Sequence, residues 1–297
     1  MLEGRGAAPS SPLVPLKSGV GKPLFIAPGL GGDVPPLAKL GEEIGLAISP
    51  HPVFAIQAKG LDGTEEPLDR VEDMVAYYLA HLRGVQPHGP YFLAGYSFGG
   101  IIAMEMARGL TAAGETVALL AFFDSFAHPQ TFPKAALQIM RLKFVIAAIR
   151  GKRFSEACAW FLRRLTSGAG FLPEAYFPEE GDDPASKVLM AAAIAQLNYW
   201  PVIYPGRVEF FRPEASKSGL SPRLVWGRLL AGLTVHAVPG DHWGILGEHA
   251  PFLASVFSTV MHRAAESAHS KEPQRSKSLP VGLRGILFSA SRRFGSA

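Results

Sequence analysis

A serine framed by glycines, Gly95-Tyr96-Ser97-Phe98-Gly99, separates an apolar run from a helix-forming stretch. This is the pattern of a nucleophile elbow, a sharp strand-to-helix turn that lifts a serine hydroxyl above a sheet edge, with glycines where the backbone bends. A serine hydroxyl is a weak nucleophile at neutral pH and needs a base, and histidine is suited to take and return that proton. Of nine histidines, His242 stands in Pro239-Gly240-Asp241-His242, directly after the last apolar run. It follows both serine and acid, the chain order of hydrolases built on such an elbow. His249 is the reserve. A carboxylate must fix the imidazole tautomer and stabilise the imidazolium that forms. Asp124, at the end of the apolar run 117–123, is the first choice, and Glu214, just after the run 208–211, is its rival. Asp241 is too close in sequence to His242 to orient it and shapes the turn instead. Negative charge developing on an attacked carbonyl needs fixed donors. The amide of Phe98 and, in the loop Pro28-Gly29-Leu30-Gly31-Gly32, that of Leu30 supply two.

These residues come from distant parts of the chain, so the elements that carry them must deliver them to one rim. Residues 24–27, 52–57, 91–94, 117–123, 208–211 and 233–238 read as short buried strands. Helical spacing runs over 68–83 before Gly84, and again from Ile101 to Leu110 before Gly114. Strands and helices alternate, and the strands are apolar throughout rather than at every second residue. That pattern indicates an α/β protein with a mostly parallel central sheet flanked by helices on both faces. Active groups in such a sheet sit at the carboxyl ends of the strands. Ser97, Asp124, His242 and the 28–32 loop all fall there.

With 48% hydrophobic and 18% charged residues in 297, the chain can bury a large core and is not disordered as a whole. One domain with tails is expected: a flexible, Gly- and Pro-rich leader over 1–22, the globular body over 23–261, and a basic disordered tail over 262–297. Net charge is +4, but the basic residues collect outside the strand-rich core. No recognition helix, zinc-finger spacing or aromatic RNA-binding signature is present, which excludes nucleic acid as a partner. The lone cysteine, Cys158, can form no intramolecular disulfide and no metal cluster, and it suits a reducing cytoplasm. No run of 18 uncharged apolar residues and no signal-peptide pattern occurs, so neither secretion nor integral membrane association is expected.

About eighty residues separate Asp124 from the strand at 208, far more than a crossover needs. An inserted helical lid over about 128–200 accounts for them, with amphipathic helices at 135–150 and 156–165. Lys134, Arg141, Lys143, Arg150, Lys152, Arg153, Arg163 and Arg164 face only Glu156 in this stretch. Such a run is either a solvated face or a docking surface for an acidic partner. In the tail, Leu283, Ile286, Leu287 and Phe294 lie among arginines, and a solvated tail is favoured over a surface-binding helix.

Together, the loop at 24–33, the Gly-Tyr-Ser-Phe-Gly-Gly elbow, Phe122-Phe123-Asp124-Ser125 and Pro239-Gly240-Asp241-His242-Trp243 resemble the type I thioesterase domains that end nonribosomal peptide and polyketide synthases. The likeness covers about residues 12–260. It implies an α/β-hydrolase fold with a mobile lid, Asp124 rather than Glu214 as the acid, and no metal or cofactor of its own. The implied substrate is an acyl, peptidyl or polyketide chain on the phosphopantetheine arm of a carrier protein or synthase module. Such domains take the chain onto the serine, here Ser97, and release it by hydrolysis or cyclisation. One departure is the first loop, where many relatives carry histidine and this chain has Ala27-Pro28-Gly29. A side-chain hydrogen bond that orders the loop is thereby lost, while the backbone donor of Leu30 is untouched. The chain holds neither carrier nor adenylation region, which fits a freestanding enzyme or a synthase fragment. Two other functions compete: a carboxylesterase or lipase acting on free esters, and a non-catalytic acyl-binding relative. The set Ser97, Asp124 and His242 argues against the second, and the basic lid favours an acidic carrier over the first.

Overall fold

The computed structural model describes residues 11–125, 127, 181–216 and 221–271. Seven strands form one sheet: β1 (Leu13–Lys17), β2 (Leu24–Ala27), β3 (Val53–Ile56), β4 (Tyr91–Tyr96), β5 (Val117–Phe123), β6 (Tyr204–Pro213) and β7 (Leu230–Val238). Their order is β1-β3-β2-β4-β5-β6-β7, parallel throughout except for β1, which pairs antiparallel with β3 at the edge. The central strands β2 and β4 are buried along their whole length. Helices cover both of their faces, which is why their sequences carry no polar alternation.

On one face, α2 (Val71–Val85), α3 (Gly99–Ala112), α4 (Pro184–Asn198) and α5 (Pro222–Trp226) pack Leu79, Ile102, Ala192 and Trp226 against Phe25, Leu93, Phe122 and Phe210. On the other, α1 (Pro35–Ala47) and α6 (Ala250–Lys271) pack Leu37, Ile44, Leu253 and Phe257 against Ile26, Phe92, Phe123 and Phe211. Each strand therefore sends successive side chains into two separate apolar layers. No helix among the described residues is long and apolar enough to cross a membrane.

Three boundaries differ from the sequence reading. The expected flexible leader contains β1, whose Leu13 is buried and which forms a ladder with β3 from Leu13↔Ile56 to Lys17↔Val53. Pro15 does not prevent this, because an edge strand leaves one side of its backbone unpaired. Of the tail expected to be disordered from 262, the described part is helical: α6 continues to Lys271, with Ala264 and Ala265 packed against the core, and residues 272–297 lie outside the described residues. Of the expected lid, residues 181–200 hold α4, capped by the Asp183 side chain accepting from the Ser186 N–H at 3.1 Å. The helices expected at 135–150 and 156–165, Cys158 and the basic residues from Lys134 to Arg164 lie outside the described residues.

Helix α1 opens with Pro35-Pro36 and contains two glycines, so it is weakly signalled. Proline at the first helical turn costs nothing, since those N–H groups have no intrahelical acceptor. The glycines serve packing against β1. A Cβ on Gly41 would lie 2.1 Å from Leu16 Cδ1, and one on Gly45 would lie 2.6 Å from Lys17 Cβ.

Candidate active site

The register of the sheet brings the predicted residues to one rim. Ala27 is level with Gly95, Tyr96 with Phe123, and Phe123 with Phe211. Hydrogen bonds then lock each strand end to the next. Ser97 N–H donates to the Phe123 carbonyl at 3.0 Å, Asp124 N–H to the Phe211 carbonyl at 3.0 Å, and Glu214 N–H to the Val238 carbonyl at 2.9 Å. The loops bearing Ser97, Asp124 and His242 thus share one backbone framework.

Ser97 sits at the turn between β4 and α3 with φ +54, in the left-handed region. The turn closes only because its flanking residues lack side chains. A Cβ on Gly95 would fall 2.0 Å from the Gly99 carbonyl oxygen, and one on Gly99 would fall 2.2 Å from that of Ala27. The first loop crosses directly over this turn: a Cβ on Gly29 would stand 3.7 Å from Ser97 Cβ. In that loop, Gly32 N–H donates to the Gly29 carbonyl at 3.0 Å, which closes a turn with Leu30 and Gly31 at its centre. Phe98 is the N-cap of α3. Among the described residues, no backbone carbonyl accepts from the amide of Leu30 or Phe98.

Asp124 and His242, 118 residues apart, are in direct contact: imidazole Nδ1–H donates to Asp124 Oδ2 at 2.8 Å. The carboxylate side chain is 2% exposed and the imidazole 24%, so the carboxylate is covered while the imidazole opens to the rim. Asp124 also holds left-handed backbone, φ +45, and its second oxygen accepts from Ser216 Oγ at 3.3 Å. With Nδ1 as the donor, Nε2 is left as the acceptor face of the ring. Glu214 is exposed on the β6–α5 loop, and the carboxylate at the imidazole is that of Asp124.

Tyr96, adjacent to Ser97, holds the other side of the histidine. Its ring stacks on the imidazole with centroids 4.7 Å apart and planes at 26°, and its hydroxyl donates to the His242 carbonyl at 2.9 Å. Burial, reinforced by the charges of Asp124 and Asp241, pushes the phenol well above its ordinary value, so it remains a donor. Trp243 meets the imidazole edge-on at 5.6 Å and is 66% exposed at the rim.

Five other histidines have contacts of their own. His51 and His81 contact backbone carbonyls, His88 pairs with Glu115, and His236 pairs with Glu209 at 2.7 Å on β7. His249 packs where Gly240 leaves space: a Cβ there would lie 2.1 Å from its ring. Asp241 Oδ1 accepts from the N–H groups of Trp243 and Gly244, the turn-shaping role expected of it. His128 lies outside the described residues. Sequence reasoning missed two residues at this site, Tyr96 and Ser216. Tyr96 was visible within the elbow, but nothing in the sequence links it to a histidine 146 positions on. Ser216 carries no signal of its own.

Beside the first loop, a narrow apolar recess, partly open to solvent, is lined by Pro28, Leu30, Met74, Phe98, Val188 and Ala192 among others. Helix α4 supplies the last two and so forms one of its walls.

Residues 22–144 match the family described as Thioesterase domain. Among curated proteins, the chain is 46% identical over 122 residues to malpibaldin synthetase of Mortierella alpina, covering 39% of this chain and 2% of that one. It is 37% identical over 114 residues to the polyketide synthase PksR of Bacillus subtilis (strain 168), covering 38% and 4%. The chain therefore spans only a few per cent of these relatives' length. Among solved structures, the NocB thioesterase domain from the nocardicin cluster superposes with a TM-score of 0.55 at 21% identity, covering 84% of this chain and 95% of that one. At that identity the likeness speaks for the fold alone. Over residues 22–144 the chain is thus similar to the thioesterase-domain family, and its fold matches the α/β-hydrolase fold of solved synthetase thioesterase domains.

Proposed function

We propose that the chain is a serine thioesterase that releases an acyl, peptidyl or polyketide chain from a phosphopantetheine arm through an acyl-enzyme intermediate. In this reading His242 Nε2 takes the proton of Ser97 Oγ as the oxygen attacks the thioester carbonyl. Asp124 holds the imidazole tautomer and offsets the positive charge that forms. The amides of Leu30 and Phe98 receive the oxyanion, and the N-terminus of α3 adds a favourable partial charge. His242 returns the proton to the departing thiol. Water or a nucleophile within the chain, deprotonated by the same histidine, then frees the product by hydrolysis or cyclisation. The observation that carries this reading is the Asp124–His242 contact beside a serine on a left-handed elbow. No metal or cofactor enters the scheme.

The expected partner is an acyl or peptidyl carrier protein or synthase module, in a reducing cytoplasmic setting. The basic residues between 134 and 164 supply charge for an acidic carrier. The test compares one acyl group presented on a carrier protein and as a small soluble thioester. Ser97→Ala should abolish release from both. Charge reversal at Arg141, Arg150 and Arg153 should raise KM for the carrier-bound substrate alone. Full turnover by Ser97→Ala would refute the mechanism, and equal KM effects on the two substrates would refute carrier docking.

A further inference from the structure

Tyr96 reaches His242 by two routes that act on different atoms. The hydroxyl donates to the residue's own carbonyl at 2.9 Å and so fixes the backbone from which the ring projects. The phenol ring lies 4.7 Å from the imidazole with planes at 26°, which restricts rotation of the imidazole about its own axis. Asp124 fixes the same ring at Nδ1, and Trp243 meets it edge-on at 5.6 Å. The imidazole is therefore bounded on an edge, a face and through its main chain.

Tyr96 also belongs to the elbow itself. It is the last residue of β4, level with Phe123 in the ladder, and Ser97 follows it directly. Any shift of the elbow moves the phenol, and the phenol moves the histidine. A single buried side chain, 3% exposed, thus couples the position of the nucleophile's turn to that of the base.

We propose that Tyr96 is a positioning residue for His242, clamping the imidazole plane and its main chain in register with the elbow that carries Ser97. This rests on the assignment of His242 as the base, and it adds a residue that acts through that histidine. A positioning role predicts a loss in kcat with little change in KM, because substrate contacts are unaltered.

The test is made on the full chain with two variants and two readouts. Tyr96→Phe keeps the ring and removes the hydroxyl, whereas Tyr96→Leu removes both. The readouts are steady-state kinetics and the far-downfield proton resonance of the His242 Nδ1–H bonded to Asp124. Tyr96→Phe should lower kcat on the order of fivefold at unchanged KM, the loss of one neutral hydrogen bond, and keep the resonance. Tyr96→Leu should lower kcat further and broaden or abolish the resonance. A resonance and kcat like the wild type in folded Tyr96→Leu would overturn the proposal. Should Tyr96→Leu fail to fold, Tyr96→Phe decides, and a kcat within twofold of wild type counts against the clamp. The resonance reports imidazole order whether or not Ser97 is the nucleophile, so failure of the catalytic assignment is told apart from failure of the clamp.

Discussion

Two rim residues hold left-handed backbone without being glycine, Ser97 at φ +54 and Asp124 at φ +45. Each costs roughly 1–2 kcal/mol, so the surroundings must enforce it. They do so by the same device: the N–H of each residue donates to a carbonyl of the next strand, Phe123 for Ser97 and Phe211 for Asp124. The strain aims the serine out of the sheet and turns the carboxylate toward His242. This makes the two candidate acids experimentally separable. Asp124→Asn leaves the shape but no longer fixes the productive tautomer, and kcat should fall by on the order of 10³ to 10⁴. Glu214→Gln alters an exposed side chain and should leave kcat within about twofold. Similar losses in both variants would reject the assignment of the acid. The residue pairs were only partly legible in the sequence. Ser97, Asp124 and His242 announce themselves by position after apolar runs, whereas Tyr96 and Ser216 acquire their roles from contacts across 146 and 92 positions.

At the scale of elements, the elbow depends on close backbone approach. A Cβ at position 99 would meet two backbone oxygens, Ala27 O at 2.2 Å and Pro28 O at 2.4 Å, which cannot move aside as a flexible side chain would. Gly99→Ala should therefore destabilise the fold by about 3 kcal/mol or more and displace the first loop from Ser97. Chemical denaturation would read the first effect. A stability within 0.5 kcal/mol of wild type, about the scatter of neutral surface changes, would contradict it. The parallel strands were readable because burial on both faces leaves continuous apolar runs, as in Tyr91–Tyr96 and Val117–Phe123. Helix α1 was not readable. Its prolines and glycines imitate a loop, and the reason for Gly41 and Gly45 is the passage of β1, a contact that local sequence does not encode.

At the scale of the molecule, the two apolar layers bury several tyrosines. Burial raises the phenol of Tyr78 above its ordinary value of 10.0, and Tyr96, Tyr199 and Tyr204 shift the same way for the same leading cause. Above pH 10 the unfolded chain loses these protons while the native state keeps them. The native state then binds more protons, so stability falls as pH rises, by about 1.4 kcal/mol per pH unit for each fully shifted group. Denaturation midpoints should drop steadily above pH 10, and Tyr78→Phe should lessen the slope. A midpoint flat to pH 12 would contradict this. The outer limits of the fold were the least legible part of the sequence. β1 lies in a Gly- and Pro-rich stretch and the end of α6 in a polar one, and both are ordered by packing on elements elsewhere in the chain. The measurement that bears most directly on the whole account is the intact mass of the protein after brief incubation with an acyl-carrier thioester. The account predicts a mass gain equal to the acyl group, mapped to Ser97 and absent from Ser97→Ala. A gain that persists in Ser97→Ala, or maps to another residue, would contradict it.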